Sequence, residues 1–140
     1  MRRHRPIAFV ADVDFTGGNT INHANTIDTS AVTNPAPTAA YQTARIGNYT
    51  YTIPGFAANS SHVVRLHFAE TYHTGNGQRT FHVKINGAQV LTTFDIFATA
   101  GAQNKANVQQ FTVNADANGT YTIQTTTVVD NSLISAIEIN

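Results

Sequence analysis

Apolar residues recur at every second position in short bursts along the chain, and the bursts are separated by Gly, Asn, Asp or Pro. This period of two is typical of β-strands that bury one face. Turn signals such as TGNG and DANG lie between the bursts. The pattern predicts eight strands: IAFVADVDF, YTYTI, HVVRLHFAE, RTFHVKIN, VLTTFDI, VQQFTVNA, GTYTIQTTT and LISAIEI.

Evenly spaced short strands predict an all-β fold, either an antiparallel β-sandwich or a jelly roll. The pattern leaves room for at most one short helix, in FATAGAQNKA, and TNPAPTA is interpreted as an extended connection. With 140 residues the chain is long enough for one core. We therefore expect a single domain over residues 1–140.

If the segments HVVRLHFAE and RTFHVKIN form a hairpin, both of their apolar faces must point toward the core. That register would place Phe68 opposite Phe81, and His67 opposite His82 on the outer side. Two facing imidazoles could hold a transition metal, but no third ligand is visibly placed to complete the site. A polar pair on a solvated face is the preferred interpretation.

Charge and composition narrow the classes of partner. The formal net charge is zero and 11% of residues are charged, so no basic field exists for nucleic acid or an anionic membrane surface. The absence of cysteine excludes disulfides and thiolate catalysis. No transmembrane span is predicted, and the apolar run of the basic start breaks at Asp12 and Asp14 before a signal-peptide core could form.

Acidic residues near the two termini, Asp12, Asp14 and Glu138, could bind a structural calcium ion. The chain has no acidic cluster with a recognisable loop spacing, so the preferred expectation is that it holds no cofactor. The basic N-terminus could be held by a neighbouring subunit or by the sheet of its own chain.

Tyr72 and His73 follow the strand HVVRLHFAE and precede the turn TGNG, so the alternation places them at a rim of the sandwich. Sugar rings present flat C–H faces edged by hydroxyls, and sites that bind them combine aromatic platforms with a few fixed donors and acceptors. The pair is therefore a candidate binding site. The alternative is that the Tyr72 ring covers the core and leaves its hydroxyl in water.

The run from VVRLHFAETYHTGNG through NGAQVLTTFDI to TAG, with AAYQTARIGNYTYTIPG before it and ISAIEI after it, resembles the malectin domain, also classed as family 57 of the carbohydrate-binding modules. The resemblance covers residues 38–139. It implies a jelly-roll-like sandwich that binds glycans without hydrolysing them. In malectin itself the implied ligands are short α-linked glucose disaccharides.

Carried over by position, the resemblance implies four ligand-binding residues at one rim: Tyr41 from YQTAR, Tyr72 and His73 after FAE, and Asp130 before the last strand. His73 stands where malectin has a phenylalanine. The N-terminal tyrosine-bearing loop of the family has no clear counterpart in NTINHANTIDTS.

Glu70 lies beside the proposed cleft and raises the alternative of a glycosidase, which would need a second carboxylate across the scissile bond. Asp130 is the only candidate. The preferred interpretation is a structural Glu70 that accepts bonds from loop N–H groups or from Arg79, and an Asp95 that holds a loop in place. We therefore expect no enzymatic activity.

Together these observations predict a non-catalytic module that binds an oligo- or polysaccharide, with glucose as one candidate component. We expect it to be extracellular or on a cell surface, appended to an enzyme or a surface protein. The alternative is a structural protein in which such sandwiches assemble into homo-oligomers or filaments, with or without glycan binding.

Overall fold

The computed structural model describes residues 2–4 and 9–140 of the chain, with side chains from Phe9 onward. The described residues form two packed β-sheets joined by turns and two short helices. The elements in chain order are β1 (Arg2–His4), β2 (Phe15–Asn22), α1 (Thr38–Tyr41), β3 (Thr43–Ile53), β4 (Ser61–Ala69), β5 (Thr80–Ile85), β6 (Ala88–Phe94), α2 (Ile96–Ala100), β7 (Ala106–Asn114), β8 (Tyr121–Val129), β9 (Leu133–Ile134) and β10 (Ala136–Ile139).

One sheet has the strand order β1-β10-β4-β7, and the other has the order β2-β3-β8-β5-β6 with β9 beside β3. The strand pairs are antiparallel except β1 with β10, which is parallel. The predicted all-β sandwich is therefore confirmed. Helix α2 falls in the segment expected to be helical, whereas the single turn of α1, directly after Pro37, was not expected.

The core lies between the sheets and is built from alternate residues of the strands. Phe68 of β4 and Phe81 of β5 are fully buried, and their ring centroids are 6.0 Å apart across the sandwich. Phe94 of β6 closes the cluster, 4.8 Å from the Phe68 ring. Burying side chains of this size contributes about 1.5–3 kcal/mol each, which fixes the inward face of each strand.

The hairpin of β4 with β5 that the sequence allowed does not form. Strand β4 pairs with β10 and β7, and β5 pairs with β6 and β8, so the two strands lie in different sheets. Residues 70–79 carry the chain from one sheet to the other. Strands in facing sheets turn alternate residues toward the same core, so the apolar period fits both arrangements.

His67 and His82 consequently do not face each other, and the solvated pair is a wrong prediction. The His67 ring is completely buried, with Nδ1 2.8 Å from the Tyr41 hydroxyl and Nε2 3.1 Å from Oε1 of Glu138. His82 lies in the other sheet, where its Nδ1 accepts a bond from the backbone N–H of Thr93 on the paired strand β6.

The predicted N-terminal strand is wrong over residues 9–14, where the described chain forms no strand beyond an isolated bridge at Val10; residues 7 and 8 of the prediction lie outside the described residues. Side-chain bonds hold this segment instead. The Asp12 carboxylate accepts a bond of 2.9 Å from Arg45 Nε and one of 2.5 Å from the Tyr51 hydroxyl. Strand β2 begins after it and contains a bulge between Gly17 and Asn19.

The N-terminus pairs with its own sheet, because β1 lies parallel to β10. Of the three acidic residues considered for calcium, Asp12 is bonded to Arg45, and Glu138 is bonded to Arg65 and His67. No group of three acidic, His or Cys side chains suited to a metal occurs among residues 9–140. Within the described chain, neither helix has the length or the apolar character needed to span a bilayer.

Candidate functional site

The site is built on the loop that follows β4, and its foundation is a buried carboxylate. Glu70 is 1% exposed, and its Oε1 lies 2.7 Å from Nε of Arg79 at the far end of the same loop. Its Oε2 accepts the backbone N–H groups of Tyr72 at 3.2 Å and His73 at 3.3 Å. The structural role expected for Glu70 is confirmed, because these donors occupy both of its oxygens.

Arg79 connects this loop to the one after β8. Its Nη1 donates to the carbonyl oxygens of Asp130 at 2.8 Å and Asn131 at 2.9 Å. These two residues have φ angles of 44° and 60°, in the left-handed region that Asp and Asn tolerate better than most residues. The buried Glu70–Arg79 pair therefore fixes both loops relative to each other.

The side chains of Tyr72, His73 and Asp130 meet above this pair, and we call the three residues the rim site. The Tyr72 side chain is 69% exposed, and its ring meets the His73 ring edge-on at a centroid distance of 4.9 Å. His73 Nε2 bonds to Oδ2 of Asp130, whose side chain is half exposed. An exposed aromatic ring, a mostly buried imidazole and a half-exposed carboxylate thus lie side by side at the surface.

Two amide side chains support the rim site from below. Gln103 Nε2 donates to the carbonyl of Tyr72 at 3.0 Å, and Asn25 Nδ2 donates to the carbonyl of Thr71 at 3.1 Å. Sequence reasoning missed both residues, because a single Gln or Asn in a polar loop carries no signal of its partner. They fix the backbone that presents Tyr72 to solvent.

Asp95 has the loop-holding role that was expected. It caps α2 by accepting the N–H of Ala98 at 3.0 Å, and its second oxygen accepts the N–H of Gly77 at 2.6 Å. The TGNG tip is therefore tied to the start of α2.

Tyr41 lies elsewhere, so the expected convergence on one rim holds for two of the three segments. The Tyr41 ring is 1% exposed, in a small apolar cluster with Ala40, Ala69 and Ala106. Its hydroxyl accepts the N–H of Ala36 at 3.2 Å and bonds to His67. A ring in this position offers no face to a ligand.

This geometry suits binding by contact and hydrogen bonding. The Tyr72 ring can stack on a flat apolar face, and the exposed oxygens of Asp130 can accept hydroxyl donors. The carboxylate beneath the site, Glu70, is already occupied by Arg79 and two backbone amides.

The family model of the malectin domain matches residues 1–137 of the chain. The chain belongs to the malectin domain family. This assignment agrees with the sandwich fold, and it confirms the expectation of a non-catalytic binding domain.

Among curated proteins, the malectin domain described here is 34% identical to a probable receptor-like protein kinase of Arabidopsis thaliana over 85 residues, which are 54% of this chain and 10% of that protein. Its fold is similar to the ANX2 ectodomain of Arabidopsis thaliana, with a TM-score of 0.79 and 22% identity, covering 96% of this chain and 41% of that one.

It is also similar to a chain in the crystal structure of plant peptide RALF23 in complex with FER and LLG2, with a TM-score of 0.77 and 22% identity, covering 96% of this chain and 40% of that one. At these identities the structural likeness shows the fold alone. The malectin domain spans less than half of each of these relatives.

Proposed function

We propose that this malectin domain binds carbohydrate at the rim site, with Tyr72 as the platform and Asp130 as the principal acceptor of sugar hydroxyls. The observation that carries the proposal is an exposed tyrosine ring held beside a half-exposed carboxylate by a buried Glu70–Arg79 pair. A ring exposed to this extent gains burial only when something packs on it, and the C–H face of a sugar is suited to that role.

The contribution of His73 follows from its bond to Asp130. The imidazole orients the carboxylate, and its edge-on contact limits rotation of the Tyr72 ring. A site whose side chains are already ordered loses less conformational entropy when it binds. The apolar residues Val128 and Val129, exposed directly before Asp130, extend the surface that a longer oligosaccharide would cover.

One exposed ring and one carboxylate support only a modest affinity for a single sugar. Joining such a domain to an enzyme, or repeating it on a surface, raises the overall binding strength by multivalency. We propose an extracellular or cell-surface setting of this kind, supported by the relatives described as an ectodomain and as a receptor-like kinase.

A glycan array probed with the wild-type chain, Tyr72→Ala and Asp130→Asn tests the proposal, with circular dichroism as the check on folding. We expect a defined set of glycans to bind the wild type. Tyr72→Ala should lower the affinity for these glycans at least tenfold, which corresponds to a loss of roughly 1.4 kcal/mol of binding free energy. Val13→Ala is the matched control, because Val13 is an exposed apolar residue of the N-terminal segment.

A folded wild type that binds none of the glycans would contradict the proposal. Equal binding by the wild type and Tyr72→Ala would show that sugars bind elsewhere on the surface. Loss of binding with Val13→Ala as well would assign the effect to general damage.

A protein ligand is the second candidate function, and a specific observation favours it: the chain in the RALF23, FER and LLG2 complex has the same fold. Exposed tyrosines are also enriched at protein interfaces. Pull-down with ectodomain proteins before and after enzymatic removal of their glycans separates the two functions. Capture that survives deglycosylation supports a protein ligand.

Assembly into homo-oligomers or filaments stays a prediction. Its main motive was a basic N-terminus that needed a neighbour, and β1 pairs with β10 of the same chain. Sedimentation over a range of concentrations tests it, since a monomer throughout would remove the assembly alternative.

A further inference from the structure

One edge of the four-stranded sheet carries backbone groups that point away from the sheet. The N–H and C=O groups of Val63 in β4 both bond to Asn140, on the β10 side of the strand. In an antiparallel sheet, successive residues direct these groups to opposite sides, so the next residue of β4 directs its groups toward β7. Strand β7 is in register with β4 along its whole length. In that register Val108 and Gln110 lie opposite residues of β4 whose backbone groups bond toward β10. The N–H and C=O groups of Val108 and Gln110 therefore point away from β4, to the free edge of the sheet.

The same edge already pairs with a single residue of an extended segment where β7 begins. Asp28 donates its N–H to the carbonyl of Asn104 at 2.8 Å and accepts the N–H of Ala106 at 2.9 Å, in a parallel bridge. If this parallel ladder continued, its next hydrogen bond would join the N–H of Ser30 to the carbonyl oxygen of Ala106. The Asp28 carboxylate takes that N–H instead, at 2.9 Å, and the chain turns away.

Beyond this point the edge lies in a groove of about 460 Å³, and residues 105–110 form its floor. At roughly 3.3 Å per residue these six positions span about 17 Å of strand. Residues 31–33 form the wall on the outer face of the sheet, where Val32 packs on the Tyr41 cluster. The end of α2 forms the other wall, and Ile96 anchors that helix in the main core.

The groove is rich in hydrogen-bond donors, and its charged lining is basic. Among the described residues, Arg65 and Lys105 are the charged side chains that line it, and no carboxylate does. The Lys105 ammonium interacts with Asp28, and the Arg65 guanidinium bonds to Glu138, both outside the lining. Two further donors of lining residues, Arg65 Nε and Asn107 Nδ2, are buried without a hydrogen-bond partner. The lining therefore offers an occupant basic side chains and donors, with no carboxylate among the described lining residues to repel its acidic groups.

We propose that this groove binds an extended acidic peptide, which adds as a strand to the free edge of β7. Its backbone would bond to the outward groups of Val108 and Gln110, where Asp28 stops pairing, and its acidic side chains would face Lys105. A second copy of this chain fits less well. The β7 strand of a second copy is flanked by the same two walls. These walls would keep the two β7 strands from coming as close as the spacing of about 4.8 Å between paired strands. The groove is separate from the rim site.

The peptide Ac-TVEVEVT-NH2, titrated into the isotope-labelled chain and followed by NMR, tests the proposal. We expect the amide signals of Val108 and Gln110 to shift and their hydrogen exchange to slow. The peptide Ac-TVKVKVT-NH2, which has the same strand propensity and the opposite charge, should bind at least about threefold more weakly. A third peptide, N-methylated at alternate amides, should lose binding because it cannot complete the ladder.

Val108→Pro is the decisive variant, since proline is tolerated at edge positions whose N–H faces outward. It removes one outward donor and leaves the N–H groups that bond to β4 in place, so we expect the loss of Ac-TVEVEVT-NH2 binding. Thr112→Pro is the matched control, with the same outward orientation beyond the groove. If Val108→Pro does not fold, Lys105→Gln should weaken binding while the exposed Lys84→Gln does not.

Unchanged binding of the acidic peptide by a folded Val108→Pro would overturn the proposal. So would the absence of binding at millimolar peptide, or shifts confined to Tyr72 and Asp130. Protection of the Val108 and Gln110 amides that rises with protein concentration and without peptide would also overturn it, because a second copy would then occupy the edge.

Discussion

Arg79 and Glu70 form a buried pair, with Nε of the guanidinium 2.7 Å from Oε1 of the carboxylate. The same guanidinium holds the carbonyl of Asp130, and the same carboxylate holds the amides of Tyr72 and His73. One buried interaction thus organises every residue of the rim site.

Glu70→Gln should destabilise the fold, because it leaves the Arg79 charge buried with a neutral partner. Breaking a buried pair by changing one member costs about 3–5 kcal/mol. Urea unfolding followed by circular dichroism measures this change. Asp116→Asn, at a turn carboxylate that bonds only to backbone amides of its own loop, is the control and should cost much less. A change below about 1 kcal/mol for Glu70→Gln would contradict the structural role of the pair.

Tyr41→Phe should lower stability without altering glycan binding. The substitution removes the hydroxyl that lies between the N–H of Ala36 and Nδ1 of His67, so two buried hydrogen bonds are lost. Such losses cost about 1–3 kcal/mol each. Thermal unfolding and calorimetric titration on the same preparation separate the two effects. Weaker glycan binding at unchanged stability would contradict this expectation and would show that Tyr41 takes part in binding.

Four of the five tyrosines should resist ionisation at high pH. Burial raises the pKa of Tyr41, Tyr49 and Tyr121, and burial together with the hydrogen bond to Asp12 raises the pKa of Tyr51. The tyrosine side chains of the unfolded chain ionise near pH 10. These residues therefore contribute stability that is complete below about pH 10 and is lost as pH rises further.

Ultraviolet absorbance of tyrosinate, recorded beside circular dichroism, checks this expectation. Most of the absorbance change should coincide with loss of the β-sheet signal. Ionisation of all five phenols near pH 10 in a folded chain would show that the buried positions are wrong.

Gly119→Ala should be among the most destabilising glycine substitutions, because a Cβ at this position would lie 1.9 Å from the carbonyl oxygen of Phe56. Gly87→Ala is the matched control, since its φ of 81° is similar to the 71° of Gly119 and its surroundings are open. Both variants should lose about 1–2 kcal/mol of stability, because alanine is strained in the left-handed conformation. Gly119→Ala should cost about 1–3 kcal/mol more, and equal losses in urea unfolding would contradict the close approach.

The strand pattern was predictable wherever one face is buried. Val64, Leu66 and Phe68 alternate with polar residues and lie in the core as expected. Alternation could not show which strands pair. The β4–β5 hairpin that it allowed does not form, although Phe68 and Phe81 do meet across the core. Strand β2 was mostly missed, because FTGGNTIN lies at an edge with little apolar signal.

The rim site was predictable in part. Tyr72, His73 and Asp130 come together as the family resemblance implied, since the loops that carry them are fixed by Glu70 and Arg79. Tyr41 does not join them, because its hydroxyl completes a buried network with His67 and Glu138. The residue type at an aligned position does not determine whether its ring faces solvent or the interior.

The most direct test of carbohydrate binding at the rim site is NMR titration of the isotope-labelled chain with maltose, the simplest α-linked glucose disaccharide of the class that the family implies. We expect saturable shifts at the amides of Tyr72, His73 and Asp130, which Tyr72→Ala abolishes. Saturable shifts centred elsewhere, or a response at the rim site that survives Tyr72→Ala in a folded chain, would contradict this expectation.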